Sequence, residues 1–296
     1  MSEVPASHTR PLDAASMVLV VLICLTWGFN QPAIKLAIHD VPPLTQCAIR
    51  SSLATLILLG LMRWRGLPIV ARDGTLAAGL IAGLLFGVEF LLIYRGLLYT
   101  TASRAVLFIY LAPFFVVIGA RWLFPGDRFG PKQWLGLLMA FIGMVVAFGV
   151  PAPATEPRQL LGDLMMAIAA LAWAATTLII KSSALARVSP EKTLLYRLSS
   201  ACRSWGWARW CSANASRRCR RRSRSARSPI VVGTTFSLWF ALIVKFSASR
   251  LSAFTFLTPL FGVAAGHLVL GEPLTPAFAL AVLLVAAGLI LVNRPK

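Results

Sequence analysis

An acid in the middle of an apolar run is the group on this chain with the most chemistry to offer. Glu89 stands inside the stretch Thr75 to Ile93, with Phe86 and Ile93 on its face at helical spacing and Tyr94 close behind. An ionisable side chain at such a place is costly to bury, so it needs a partner or a task. Two tasks suit it, holding a ligand's ammonium group or exchanging a proton; the structural alternative is a carboxylate held by Arg95 or by a neighbouring backbone group. Trp27, Asn30 and Gln31 offer an aromatic face and hydrogen bonds within a first apolar run, as Trp173, Thr176 and Thr177 do in a later one. Helix-to-helix packing is the competing use of such polar groups. Lys35 and Lys181 close those two runs, where each is placed to meet a carboxylate or to snorkel to a membrane surface. Tyr110 and Phe256 each precede a proline, Pro113 and Pro259, by about one turn. The prolines predict kinks beside a path that the two rings would line, with Trp239 as a further ring.

Other chemistries find little support. The three histidines, His8, His39 and His267, are scattered, and Cys202, Cys211 and Cys219 lack the spacing and histidine partners of a zinc site. No glycine-rich phosphate loop precedes a helix. We therefore expect no metal, no cofactor and no catalytic residue, and a membrane-embedded enzyme or a channel-like or interaction protein is the rival class.

The elements that carry these residues are long and apolar. Of 296 residues 58% are hydrophobic and only 13% charged, with a mean hydropathy of +0.76, far from the roughly 25% charge of a water-soluble domain. Crossing a hydrocarbon core of about 30 Å takes roughly 20 helical residues. Runs of that kind cover Met17 to Ile38, Leu44 to Met62, Thr75 to Ile93, Ala105 to Phe124 and Trp134 to Val150. After a proline-rich break they resume at Leu160 to Ile180, Pro229 to Val244, Leu251 to Leu270 and Ala277 to Val292, with another expected from Thr193. The fold class is an all-helical integral membrane protein, and the first run, lacking a cleavage site, reads as a retained span.

The chain also repeats itself. Trp27 and Lys35 recur 146 residues later as Trp173 and Lys181; Val41, Pro43 and Arg50 recur at 147 as Val188, Pro190 and Arg197. Ala102-Ser103-Arg104 and Pro113 return at 146 as Ala248-Ser249-Arg250 and Pro259, and Gly126-Asp127 and Pro131 at 145 as Gly271-Glu272 and Pro276. A nearly constant offset predicts two related units, 1–150 and 151–296, of five spans each. Because five is odd, the second copy enters the membrane the other way up, giving ten transmembrane helices in an inverted-topology repeat. Basic residues near span ends, among them Arg63, Arg65, Arg72, Arg128 and Lys132, put both termini in the cytoplasm, with Arg95, Arg104 and Arg158 outside.

Taken together, Trp27-Gly28 followed by Lys35, Arg50 after a proline-bearing loop, Ala102-Ser103-Arg104 with Pro113, and Gly271-Glu272-Pro273 before a last run resemble the EamA family of drug/metabolite transporters. The resemblance covers nearly the whole chain. It implies ten helices, a central cavity and export of amino acids or related small metabolites across the cell inner membrane. The expected partners are a small-molecule substrate, the lipid bilayer around the apolar runs and, from the proton-exchange reading of Glu89, a coupling proton as a candidate.

Residues 201–229 break the pattern. Nine of the 29 basic residues fall there, with no acid, and arginines at mid-span would cost on the order of 2.5 to 3.5 kcal/mol each. The repeat offset is 147 before this segment and 146 after it, so nothing substantial has been inserted. Tryptophan, cysteine, serine and arginine in place of leucine, valine, alanine and glycine is what a shifted frame yields in GC-rich coding DNA. Two compensating frameshifts are favoured over a genuine basic loop or a patch for anionic lipid, and no nucleic-acid partner is expected.

Overall fold

The computed structural model describes residues 12–38, 55–67, 73–150, 156–198 and 228–294, and the backbone alone in 30–38 and 228–234. The regular structure there is helical throughout. In chain order the helices are α1 (Ala14–Ile38), α2 (Thr55–Trp64), α3 (Leu76–Gly96), α4 (Ala102–Ile109), α5 (Ala112–Leu123), α6 (Pro131–Phe148) and α7 (Pro157–Ser182). They continue as α8 (residues 190–198), α9 (Ser228–Lys245), α10 (Ala248–Phe254), α11 (Leu257–Leu270) and α12 (Pro276–Asn293). Six stretches among the described residues are long and apolar enough to cross a membrane: α3, α4 with α5, α6, α7, α10 with α11, and α12. Each falls on a run expected from sequence.

The outward faces of these helices explain why water is the wrong solvent. Leu80 and Leu84 on α3, Leu164 and Leu171 on α7, and Leu283 and Ile290 on α12 are all exposed. An apolar surface continuing from helix to helix is what lipid tails accept and water does not. Inward faces carry the small residues. On α3, Gly79, Ala82, Gly83, Phe86 and Gly87 recur at helical spacing and are buried, and this helix packs along α7.

Close approaches are set by glycine. A Cβ on Gly136 of α6 would stand 2.5 Å from the Gly288 carbonyl of α12, and one on Gly288 would stand 2.4 Å from the Gly136 carbonyl. Further along the same pair, Gly143 meets the Ala281 carbonyl and Val285. Gln133 ties the two helices by donating to the Val292 carbonyl at 3.1 Å. In the same way α1 packs against α11 through Gly28, and α7 against α5 where Leu178 covers Gly119.

Two runs are interrupted rather than continuous. Between α4 and α5 the bonds shorten to three-residue turns, Leu111 N–H to Phe108 and Phe114 N–H to Leu111; between α10 and α11, Phe256 N–H reaches Ala253 and Thr258 N–H reaches Thr255. Pro113 and Pro259 sit in the first turn of the second piece, where a missing N–H removes no helical bond. The expected mid-helix kinks are thus breaks placed one turn earlier. Thr101 and Ser247 cap α4 and α10 by accepting from the Arg104 and Arg250 N–H groups. Capping moves the start of α4 back to Ala102, so Arg104, expected as a loop charge, lies buried in the first helical turn. Its guanidinium grips Asp163 of α7, to which Thr100 also donates at 2.6 Å.

Residues 39–54, which include most of the second expected run, and the arginine-rich stretch 201–227 lie outside the described residues.

Candidate functional site

Glu89 comes from the fourth turn of α3, on the side turned toward α8. That face is held in register by contacts at one end of the two helices. Tyr196 of α8 lies over Gly79, where an added Cβ would stand 2.4 Å from the ring, and its hydroxyl is 3.1 Å from that of Thr75. Next to this, Lys192 of α8 binds Asp73 and Arg65 meets Glu191 at 3.1 Å. Asp73, in the turn before α3, is held down to about 2, first by the Lys192 ammonium and then by the Thr75 hydroxyl.

With α8 so fixed, the residue after Tyr196 faces Glu89. The Arg197 guanidinium is 3.9 Å from Glu89 Oε2, and the two residues are 5% and 6% exposed. At that separation they attract without hydrogen bonding. Glu89 Oε2 and Arg197 Nε have no hydrogen-bond partner among the described residues. Aromatic rings wall the pair instead: the guanidinium carbon is 4.1 Å from the centroid of Phe86, 5.0 Å from Phe240 and 5.7 Å from Phe236. Cation–π attraction partly replaces the missing bonds.

Trp27 extends this wall. Its indole packs on Phe236 and Trp239 with centroids 5.0 and 5.3 Å away, and its N–H donates to Thr235 at 3.1 Å. Tyr94 lies beyond Phe90 on the other side of Phe86. A second aromatic group forms where the helices break: Tyr110 lies 6.1 Å from Trp173 and 6.0 Å from Phe256, and Phe114 and Phe141 close around Phe256. The sequence-derived rings therefore gather into two sets, Trp27 with Trp239, and Tyr110 with Trp173 and Phe256.

Other candidates are engaged within the protein. Thr176 and Thr177 donate to the carbonyls of Ala172 and Trp173 one turn back, which satisfies both hydroxyls within α7. Lys181 does not reach a surface. Its ammonium donates to the Phe246 carbonyl, lies 4.0 Å from Asp127 and 5.3 Å from the Phe124 ring, and is buried. Asp127 in turn accepts from the Ser247 hydroxyl at 2.5 Å and from the Ser249 N–H at 3.3 Å. The side chains of Asn30, Gln31 and Lys35 lie outside those described. Arg95, considered as the partner of Glu89, is exposed; Arg197 takes that place.

The profile of the EamA-like transporter family matches this chain twice, over residues 14–149 and again over 160–294. The chain belongs to the EamA-like transporter family. It is 22% identical over 284 residues to the uncharacterized transporter YoaV of Bacillus subtilis, covering 92% of this chain and 94% of the relative. It is 25% identical over 308 residues to the uncharacterized transporter YvbV of the same organism, covering 99% and 94%. An uncharacterized transporter of Archaeoglobus fulgidus is 26% identical, covering 94% of this chain and 99% of that one. A protein solved by crystallography shares the fold with a TM-score of 0.77 at 21% identity, over 94% of this chain and 96% of its own. This EamA-like chain is accordingly a multi-pass membrane transporter, which agrees with a protein that is not an enzyme. Its charged pair lies where the two matched regions meet, with Trp27, Phe86 and Glu89 from the first and Arg197, Phe236 and Phe240 from the second.

Arg197 is the site residue that sequence reasoning missed. It was visible only as the repeat partner of Arg50, within a run expected to be a span. The rule that made Glu89 a candidate, a charge inside an apolar run, applies to it equally.

Proposed function

We propose that this chain is a secondary transporter of the cell inner membrane that exports amino acids or related small metabolites by alternating access. Both termini face the cytoplasm, and the ten spans form two inverted five-span units meeting at a central path. Glu89 binds the solute's ammonium group or carries a coupling proton. Trp27, Trp239, Tyr94, Tyr110, Trp173 and Phe256 line the path; Asn30, Gln31, Thr176 and Thr177 stand beside it, with Lys35 and Lys181 at its ends and Pro113 and Pro259 at its breaks.

The observation carrying this reading is the Glu89–Arg197 pair: buried, 3.9 Å apart, with Glu89 Oε2 and Arg197 Nε lacking a hydrogen-bond partner among the described residues, and shared between the two matched regions. A pair kept only for stability would close its distance or give way to apolar residues. Supporting the inverted arrangement is reciprocity in the packing. By the 145-residue offset Gly136 corresponds to Ala281 and Gly143 to Gly288, and the contacts run Gly136 to Gly288 and Gly143 to Ala281. A two-fold axis between α6 and α12 would impose that exchange.

Accumulation of labelled amino acids in everted membrane vesicles tests the function. Uptake above control vesicles, abolished in Glu89→Gln at matched expression, is expected. A chain that inserts but moves none of these solutes would remove the export reading.

A further inference from the structure

The buried pair holds two orphaned atoms of opposite character. Glu89 Oε2 accepts and has no donor, while Arg197 Nε–H donates and has no acceptor among the described residues. Leaving one such group unmatched costs about 1 to 3 kcal/mol, and more for a charged one, so two on adjoining side chains need a reason. The helices were not forced apart locally, since Tyr196, one residue before Arg197, is seated on Gly79 with its hydroxyl against Thr75. Nor is the guanidinium merely parked, because Phe86, Phe236 and Phe240 present ring carbons and no described group accepts from Nε.

We propose that Arg197 and Glu89 form a two-charge seat for the head group of the transported solute. Arg197 takes a carboxylate or equivalent acceptor, and Glu89 takes an ammonium or equivalent donor. Arg197 is thus a specificity-determining residue, and the phenylalanine walls with Trp27 and Trp239 face the apolar remainder of the solute. The inference rests on the transporter reading above and narrows it, since a solute carrying only one of the two groups leaves one buried charge unmatched. A planar guanidinium that offers Nε–H suits a carboxylate in a way that the point charge of lysine does not.

Three probes of nearly equal size separate the contributions: leucine, isoamylamine, which lacks the carboxylate, and 4-methylpentanoate, which lacks the ammonium. Binding to the purified full-length protein in nanodiscs is read by calorimetry and by quenching of tryptophan fluorescence. For the wild type we expect leucine to bind at least about 100-fold more tightly than either truncated probe, by the rule that a site built for a polar group rejects the analogue lacking it. R197Q is expected to abolish the preference for leucine over isoamylamine, and R197K to recover only part of it. E89Q should do the reverse, sparing 4-methylpentanoate. The wild-type comparison needs no variant to fold, and E89Q/R197Q, which leaves no lone buried charge, covers instability of the single variants; it should bind all three probes alike.

Wild-type protein that binds leucine and isoamylamine equally, or none of the three, overturns the proposal, as does an R197Q protein that keeps the leucine preference. In each of these cases vesicle uptake of any other small metabolite leaves the transporter reading standing. Loss of all transport removes that reading separately.

Discussion

Replacing the Glu89 carboxylate by an amide of the same shape is expected to lower transport by about tenfold or more while leaving folded protein in the membrane. Transport assayed at matched expression checks this, and a wild-type rate in Glu89→Gln would eliminate the role. Gly79→Ala tests how the pair is positioned. The added methyl meets the Tyr196 ring at 2.4 Å, so α3 and α8 must separate, at a cost of about 1 to 3 kcal/mol. A lower melting temperature in detergent is expected, with partial rescue in Gly79→Ala/Tyr196→Ala; an unchanged melting curve would show the contact to be slack. At this scale the sequence exposed charge more readily than pairing. Glu89 stands out as an acid in an apolar run, but its partner lies 108 residues away in sequence, a few residues before the arginine-rich stretch. For Thr176 and Thr177 the sequence shows a hydroxyl but not the carbonyl one turn back that receives its proton.

Among the elements, α3 and α8 are joined at one end by Asp73 and Lys192, and that junction makes a pH prediction. The Asp73 carboxyl is held near 2, below its ordinary 3.8. A group depressed on folding contributes stability that is present above the unfolded value and lost as pH falls through the folded one. Its contribution is therefore constant from neutrality to about pH 5 and disappears between 3.8 and about 2. Melting curves of wild type and Asp73→Asn should differ at pH 6 and converge near pH 2; a gap that persists in acid would assign the effect to something other than charge. The helix breaks make a second prediction. Pro113→Ala restores an N–H one turn after Ile109, letting α4 and α5 join as one straight helix. Hydrogen exchange at residues 110–112 should slow and transport should fall, and unchanged exchange would mean that the break is set by packing alone. The prolines were legible in the sequence, whereas the exact place of each break depends on hydrogen bonds that residue types do not report.

For the whole molecule, the apolar runs fall on the described helices because length and hydropathy are local properties. The arginine-rich segment remains the point on which activity turns. From Thr193 the apolar run reaches only Cys202, about ten residues, where roughly 17 are needed to cross. A gene whose frame is restored across 201–229 is expected to insert a complete seventh span and to transport several-fold faster than the chain as written. If the present chain transports equally well, the segment is a functional loop and the frameshift reading falls.

The glycine contacts of α6 and α12 have a consequence for any ancestor from which two such units were duplicated. Because Gly136 corresponds to Ala281 and Gly143 to Gly288, a polypeptide made of the first unit alone would carry both halves of the interlock on one surface. Two copies inserted in opposite directions would then meet Gly136 to Gly143 and Gly143 to Gly136, a self-complementary junction of the isologous kind. Duplication and fusion of a gene for such a dual-topology homodimer would preserve the junction inside one chain, and would free each side to diverge. In that history the Glu89–Arg197 pair is a product of divergence: residue 50 keeps the arginine in the first unit, while the position answering Glu89 at an offset of 146 is Thr235 in the second, now hydrogen bonded to Trp27.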